Sequence, residues 1–487
     1  MARIVEVNEP LSFPDYSALA FLTPAIQDLE EEAATLIPAL AGRRIWMINS
    51  TPEGGGVAEM LPKMVSMLRD LGAEVEWAVI ETDRQPFFAL TKRIHNMIHG
   101  VGNGGFSDED RELFELVGSD NAKELRKRVS PNDILVVHDP QPIVLGALLK
   151  RELGVTTLWN CHIGIEERTP ATRTIWRFLE PYAKTYDHAI FSAPEYIPSF
   201  LAGSAEVIQP AIDPLSDKNR ELHTHSLVGI LCNSGLAVEF SPVLTPPFDH
   251  PAQRLLPNGS WAPPCENDDI GLLSRPTVVQ VSRWDRLKGF GPLLDAFVKL
   301  KRRHRAGLGD IPRRRLELLR LLLVGPDPSS VHDDPEGLEV LEELTQKYLA
   351  LDRKVQPDVV LLTLPMQSRQ ENALMVNAIQ RCASLVVQNS IHEGFGLTAT
   401  EAMWKRNAIV GSQACGLRQQ IRDGLDGRLV PDANDPDGIA EVLFSILEDW
   451  SARERMARTA QRRVYKEFLI FTQLRRWLRA LTETATR

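Results

Sequence analysis

A chain of 487 residues with 43% hydrophobic content exceeds what one ordinary core organises, so two or more globular domains are expected. Its formal charge of -10 excludes a protein that coats nucleic acid, because such proteins need a cationic excess to displace counterions. The five cysteines include no C-x-x-C pair, which removes a zinc or redox couple and leaves reduced, mostly buried thiols as the expectation. No apolar run is long enough to span a bilayer and the first residues lack a signal pattern, so no membrane span and a cytoplasmic location are expected.

In chain order, RRIWMIN from Arg43 reads as a strand, STPEGGG as a glycine-rich turn, and VAEMLPKMVSMLRDLG as an amphipathic helix. EVEWAVIE, the helical FFALTKRIHNMIHG, DILVVHD, a helix from Pro142 to Leu153 and TTLWNCHI continue the alternation. Residues 224–274 are dense in Pro, Asn, Ser and Gly and read as an insertion or interdomain linker. A second series follows. It runs through the strand PTVVQVSRW, the helix GPLLDAFVKLKRR, the strand LELLRLLLVG, a helix near GLEVLEELTQKYL and the strand DVVLLTL. ENALMVNAIQRC, SLVVQNS, TATEAMWK, AIVG and two amphipathic helices complete it. The expected fold class is therefore α/β, with two doubly wound Rossmann-like domains. The domain reading is 1–223, the 224–274 insertion, 275–465, and a C-terminal helix in 466–487 packing back on the first domain. The basic clusters Lys301-Arg302-Arg303 and Arg313-Arg314-Arg315 are expected to be solvated helix ends or loops.

Doubly wound sheets bind ligands at strand-to-helix loops. Four such loops carry unusual residues. In Ser50–Gly56 consecutive glycines let backbone approach a ligand while the next helix offers N–H groups to an anion, but the string matches neither G-x-G-x-x-G nor the P-loop. His138-Asp139 and Asn160-Cys161-His162 place polar groups at adjacent strand ends. In SRWDRLKG, Arg283 and Lys288 can aim at one phosphate, as a fork and as a point charge. In HEGFGLTATE, Glu393 lies in a loop opened by Gly394 and Gly396, and Glu401 follows about two turns along. Carboxylates there suit vicinal sugar hydroxyls. Asp435-Pro436-Asp437 spells D-x-D but reads as a turn before a helix.

These residues resemble family 4 retaining glycosyltransferases, and among them the sugar-nucleotide-dependent trehalose synthases and the retaining trehalose phosphorylases. The resemblance runs from about Trp46 to about Pro431, on MINSTPEGGGVAEML, FFALTKRIHNMIHG, WNCHIGIEE, PAIDPLSDKN, VSRWDRLKG, NAIQRCASLVVQNSIHEGFGLTATEAMWK and GLRQQIRDGLDGRLV. It implies a GT-B fold, two Rossmann-like domains facing a central cleft. It also implies transfer of glucose from UDP-glucose or ADP-glucose to a small sugar acceptor, with glucose as the favoured acceptor and trehalose as the product, and with no essential metal or other cofactor. By the same resemblance Arg283 and Lys288 hold the diphosphate, Glu401 the ribose, and Glu393 the hexose. Backbone at Gly394, Phe395, Gly396 and Leu397 lies near phosphate and sugar, Gly55 and Gly56 cover the donor, His162 approaches the donor sugar, and Asp139 serves the acceptor. A homodimer is allowed for. The inserted 224–274 segment and GPDPSSVHDDPEG depart from the family pattern, which leaves the acceptor open. A phosphorylase, or a catalytically silent sugar-binding relative, stays as an alternative reading.

Overall fold

Strand β2 (Ile45–Asn49) and strand β4 (Ile134–His138) are buried at every position, as near-continuous apolar runs require when helices cover both faces of a parallel sheet. They are neighbours at the centre of a seven-stranded sheet, β1-β3-β2-β4-β5-β6-β7. The other strands are β1 (Arg3–Val5), β3 (Val75–Val79), β5 (Thr156–Cys161), β6 (His188–Phe191) and β7 (Ala205–Val207). All pairs are parallel except β1 with β3 at the edge. The computed structural model describes residues 2–9, 12–53, 56–238, 247–303, 308–328 and 335–486. Gly55 and part of the GPDPSSVHDDPEG segment lie outside the described residues.

The chain divides into two units, Met1–Pro210 with Ile470–Arg487, and Ala211–Leu469. The second holds an eight-stranded sheet, β15-β14-β13-β10-β11-β12-β8-β9. Its strands are β8 (Gln253–Leu255), β9 (Trp261–Ala262), β10 (Thr277–Val281), β11 (Arg320–Pro326), β12 (Val359–Leu364), β13 (Leu385–Gln388), β14 (Ile409–Gly411) and β15 (Gly427–Leu429). β10 to β15 are parallel, and β8 and β9 add an antiparallel edge. The α/β class with two Rossmann-like sheets is therefore present.

Several boundaries differ from the sequence expectation. The units part after Pro210 rather than after 223. Ile212 N donates to Phe468 O (2.9 Å), and Asn377 Nδ2 donates to the carbonyls of Asp217 and Arg220 (2.9 Å each), tying this stretch to the second unit. Residues 224–274 are not a free linker. A helix Thr224–Asn233 and strands β8 and β9 belong to the second unit, and Leu231, Ala252 and Ile270 are buried in its core. The expected strand LELLRLLLVG is split between a helix, Asp310–Leu318, and β11. Lys301 is not solvated: its side chain is 6% exposed and pairs with Asp358 at 2.8 Å while donating to the carbonyls of Leu316, Glu317 and Leu319. Of the five thiols only Cys161 and Cys415 are buried, and Cys265 is exposed. Asp435 is a helix N-cap, its carboxylate accepting from Asp437 N, so D-x-D is a turn here. No helix among the described residues is long and apolar enough to cross a membrane.

The final helix, Ile470–Thr486, joins the first unit. Its apolar face buries Phe471, Leu474, Trp477, Leu478 and Leu481, while Arg475 and Arg479 pair with Glu32.

Candidate functional site

Both sheets reverse their winding at one place. In the second unit the chain winds outward from β10 through β11 to β12, then returns to β13 on the other side of β10. The crevice beyond the carboxyl ends of β10 and β13 is the point where open α/β sheets place ligands. The loops leaving those two strands are Ser282–Gly289 and Asn389–Gly396. Gly289 joins them: its φ is +63°, and a Cβ there would lie 2.1 Å from Asn389 O, so only glycine fits. Asn389 locks the approach by donating from Nδ2 to Gly289 O (3.0 Å) and Ala433 O (2.9 Å). Gln280 donates to Lys288 O (2.7 Å) and accepts from Asn389 N (3.0 Å), while Ile391 N donates to Leu287 O (2.7 Å).

This framework brings Lys288 and Glu393 together. Lys288 Nζ lies 2.7 Å from Glu393 Oε2, with both side chains about seven-eighths buried, and Ser390 Oγ donates to the same oxygen at 2.9 Å. Arg283 stands on the same loop, two-thirds exposed, with Asp285 at 3.6 Å as its charge partner. Gly396 (φ +84°) turns the chain into the helix Leu397–Trp404, and a Cβ there would press on Glu393 Cγ at 2.8 Å. Gln420 Nε2 donates to the carbonyls of Phe395 and Gly396. In trans peptides the N–H opposes the C=O, so the amides of Gly396 and Leu397 point away from Gln420. Gly416 allows this packing, since a Cβ on it would meet Phe395 Cα at 2.4 Å.

Glu401 lies about one turn into its helix rather than two, because the helix begins only at Leu397. Its residue is buried at 6% exposure, with Lys218 Nζ 3.8 Å away. Beneath it, Lys405 is buried and donates to Gln380 Oε1 (2.7 Å), Asn219 Oδ1 (3.3 Å) and Glu401 O (3.3 Å). Burial pushes its pKa from 10.5 to about 7, against the upward pull of Glu401. Trp404 Nε1 donates to Asn219 O. The string PAIDPLSDKN thus docks Lys218 and Asn219 on the Glu401 helix. These residues were not singled out by sequence reasoning, and the place of that string among those carrying the family resemblance was the available signal.

In the first unit the winding reverses between β2 and β4. After β2, Asn49 accepts from Trp77 Nε1 (2.8 Å) and donates to Thr51 O (2.6 Å), setting the start of the glycine loop. Gly56 opens the helix Gly56–Asp70, and a Cβ there would meet nothing within 4 Å. A groove of about 1130 Å³ runs past Ser50, Thr51 and Pro52 to Glu81, Phe88 and Gln141. Beyond β4 and β5, His138, Asp139, Asn160 and His162 meet. His138 Nδ1 lies 3.0 Å from His162 Nε2, and Asn160 Nδ2 reaches both, at 3.3 and 3.0 Å. Asp139 takes a left-handed φ of 62°, and its Oδ1 accepts from His162 N at 2.9 Å. That carboxylate oxygen is committed to shaping the His162 backbone. Burial lowers the pKa of both imidazoles; His162 lowers His138 further, while Asp139 opposes the shift at His162.

Known proteins match this chain along most of its length. The model of the trehalose synthase N-terminal domain matches residues 47–198, and that of group 1 glycosyl transferases matches residues 269–463. The trehalose synthase of Pyrococcus horikoshii is 34% identical over 442 residues, covering 90% of this chain and 89% of that protein. That of Rubrobacter xylanophilus is 33% identical over 475 residues, covering 96% and 97%. A trehalose phosphorylase of Pleurotus pulmonarius is 24% identical over 459 residues, 89% of this chain but 56% of that protein. Among solved structures, an α,α-trehalose-phosphate synthase (UDP-forming) from Burkholderia xenovorans, in complex with glucose-6-phosphate, superposes with a TM-score of 0.60. Its identity is 16%, covering 91% of this chain and all of that one, which establishes the shared fold. The chain therefore belongs to the trehalose synthase family of group 1 glycosyltransferases, and is a glycosyltransferase of the GT-B fold.

Proposed function

We propose that this enzyme transfers glucose, with retention of anomeric configuration, from a nucleoside-diphosphate glucose to glucose, giving trehalose. The observation that carries the reading is the Lys288–Glu393 pair at 2.7 Å, held at the β10/β13 switch point by Gly289 and Asn389. A cation and a carboxylate side by side suit a ligand that presents a diphosphate next to a polyhydroxylated ring. The names of the trehalose synthase relatives support the product.

In this reading Arg283 and Lys288 hold the diphosphate and Glu393 accepts from hexose hydroxyls. Glu401, kept oriented by Lys218 and Lys405, accepts from the ribose hydroxyls. The amides of Gly396 and Leu397 face the phosphate, with Gly394 and Phe395 forming the rest of that loop. In the first unit Gly56 approaches the donor, His162 contacts a sugar hydroxyl, and Asp139 acts by shaping the His162 backbone. The acceptor hydroxyl oxygen forms a bond to the anomeric carbon as the bond from that carbon to the phosphate oxygen breaks, and the hydroxyl proton passes to the leaving phosphate. Negative charge grows on the departing diphosphate, so prepositioned cations lower the barrier there. No metal or other cofactor is required.

The test is an assay of the purified chain with UDP-, ADP- and GDP-glucose against a panel of sugar acceptors, with and without a chelator, reading product linkage by NMR. Trehalose from UDP-glucose or ADP-glucose plus glucose, unchanged by the chelator, is the expected result. Release of glucose 1-phosphate from trehalose and phosphate, with no nucleotide present, would replace this reading with phosphorolysis. Tight sugar-nucleotide binding with neither transfer nor hydrolysis would make the chain a binding protein.

A further inference from the structure

Three nitrogens meet beyond β4 and β5, and whichever imidazole nitrogen carries the proton between the rings, Asn160 faces one donor and one acceptor. Asn160 Nδ2 only donates, and each neutral imidazole carries one N–H. His138 is fully buried, with its ring parallel to that of His162 within 6° and meeting it edge to edge, and with its centroid 6.2 Å from that of Trp477. Its Nε2 is buried and has no partner among the described residues. Suppose His162 carried its proton on Nε2 and donated it to His138 Nδ1. Asn160 Nδ2, which can only donate, would then face the protonated His162 Nε2 at 3.0 Å, and that close contact would cost a hydrogen bond by setting donor against donor. The opposite arrangement avoids that cost. His138 Nδ1–H donates to His162 Nε2, and Asn160 donates to the same nitrogen. The distances agree: both contacts to His162 Nε2 are 3.0 Å, while the contact between Asn160 Nδ2 and His138 Nδ1, two donors in this arrangement, is the longest at 3.3 Å.

We propose that His138 is a positioning residue that locks His162 in its Nδ1–H tautomer, so that His162 acts as a fixed hydrogen-bond donor to a hydroxyl oxygen of the bound sugar. His162 is not fully covered, and its Nε2 is taken by His138 and Asn160, leaving Nδ1 for the ligand. Asp139 completes the device by holding the His162 backbone through its N–H. Burial lowers the pKa of both rings, which keeps the pair neutral and the tautomer defined. The part played by the sugar rests on the function proposed above, whereas the tautomer does not.

The experiment has two arms on the full chain. Long-range proton–nitrogen correlation spectra of histidine-labelled protein, with His162 assigned by His162→Gln, report which ring nitrogen carries the proton. The expected signature is a protonated Nδ1 on His162 and a protonated Nδ1 on His138. A protonated Nε2 on His162 overturns the proposal. In the kinetic arm, His138→Leu is expected to lower kcat by about tenfold, the worth of one hydrogen bond, with affinity for free UDP unchanged. His138→Asn places an amide N–H where Nδ1 stood and is expected to recover most of the loss. Equal kcat in the Leu variant and the parent also overturns the proposal. If the Leu variant fails to fold, the spectrum of the parent still decides. If the parent transfers no sugar from any nucleotide, the function above fails while the tautomer is still read.

Discussion

The two switch points of this molecule solve different electrostatic problems. In the second unit, charge is concentrated: Lys288 on Glu393, Lys218 near Glu401, Lys405 beneath it, and Arg283 exposed at the loop. In the first unit, the ends of β4 and β5, beside the switch point, carry two histidines and an asparagine whose nitrogens meet, and burial lowers the pKa of both rings. The difference teaches where charge changes during the proposed reaction. A diphosphate that gains charge as it leaves needs fixed cations, whereas sugar hydroxyls need directed but uncharged partners.

If that contrast holds, removing cations from the second unit has the largest effect. Lys288→Ala and Arg283→Ala are each expected to cost about 2–4 kcal/mol of activation free energy, seen as a loss of most turnover in steady-state assays. Arg283 is largely exposed, so thermal unfolding of its variant should match the parent; near-normal kinetics in both variants would break the assignment.

The next effect is on the frame rather than the charges. Gly289→Ala forces a left-handed residue, costing about 1–3 kcal/mol in backbone strain alone, and drives a methyl into Asn389 O. A lower thermal midpoint together with lost donor affinity is expected, and an unchanged midpoint would show that the two loops are not tied at Gly289.

The effect on stability alone, with no residue that touches the substrate removed, concerns Lys405. Its pKa is about 7 in the folded chain against 10.5 as the ordinary value, so between these the unfolded chain binds more protons and stability rises with pH. Below about 7 the buried ammonium is a full cost. Lys405→Met removes the titration, so the midpoint of the variant relative to the parent should fall as pH rises from below 7 towards 10. A pH-independent difference would mean that Glu401 and the surrounding amides fully compensate the charge.

Much of the charged half was readable from sequence, because its glycines and charges fall at the ends of strongly apolar runs such as TVVQV and LVVQ. The partners of Glu401 and Lys405 were not, since Lys218 is remote in sequence from Glu401 and Asn219 from Lys405, and each pair meets only through folding. The 224–274 segment hid its role for a different reason. Its edge strands span only three and two residues among prolines, too short for any period to show. The helix Asp310–Leu318 escaped because its leucines run directly into those of β11. In the first unit His138 and His162 were visible as strand-end polar groups. Their shared proton was not, because tautomers depend on distances and not on residue types.

The discontinuous first unit has a consequence for biosynthesis. The helix that carries Trp477, the wall behind His138, is translated after the whole of the second unit. Domains generally fold as units while they emerge, so the contiguous second unit can be finished on the ribosome. The first must wait for its last helix, and a nascent chain holds the loops that bear Lys288 and Glu393 before the histidine pair has its backing.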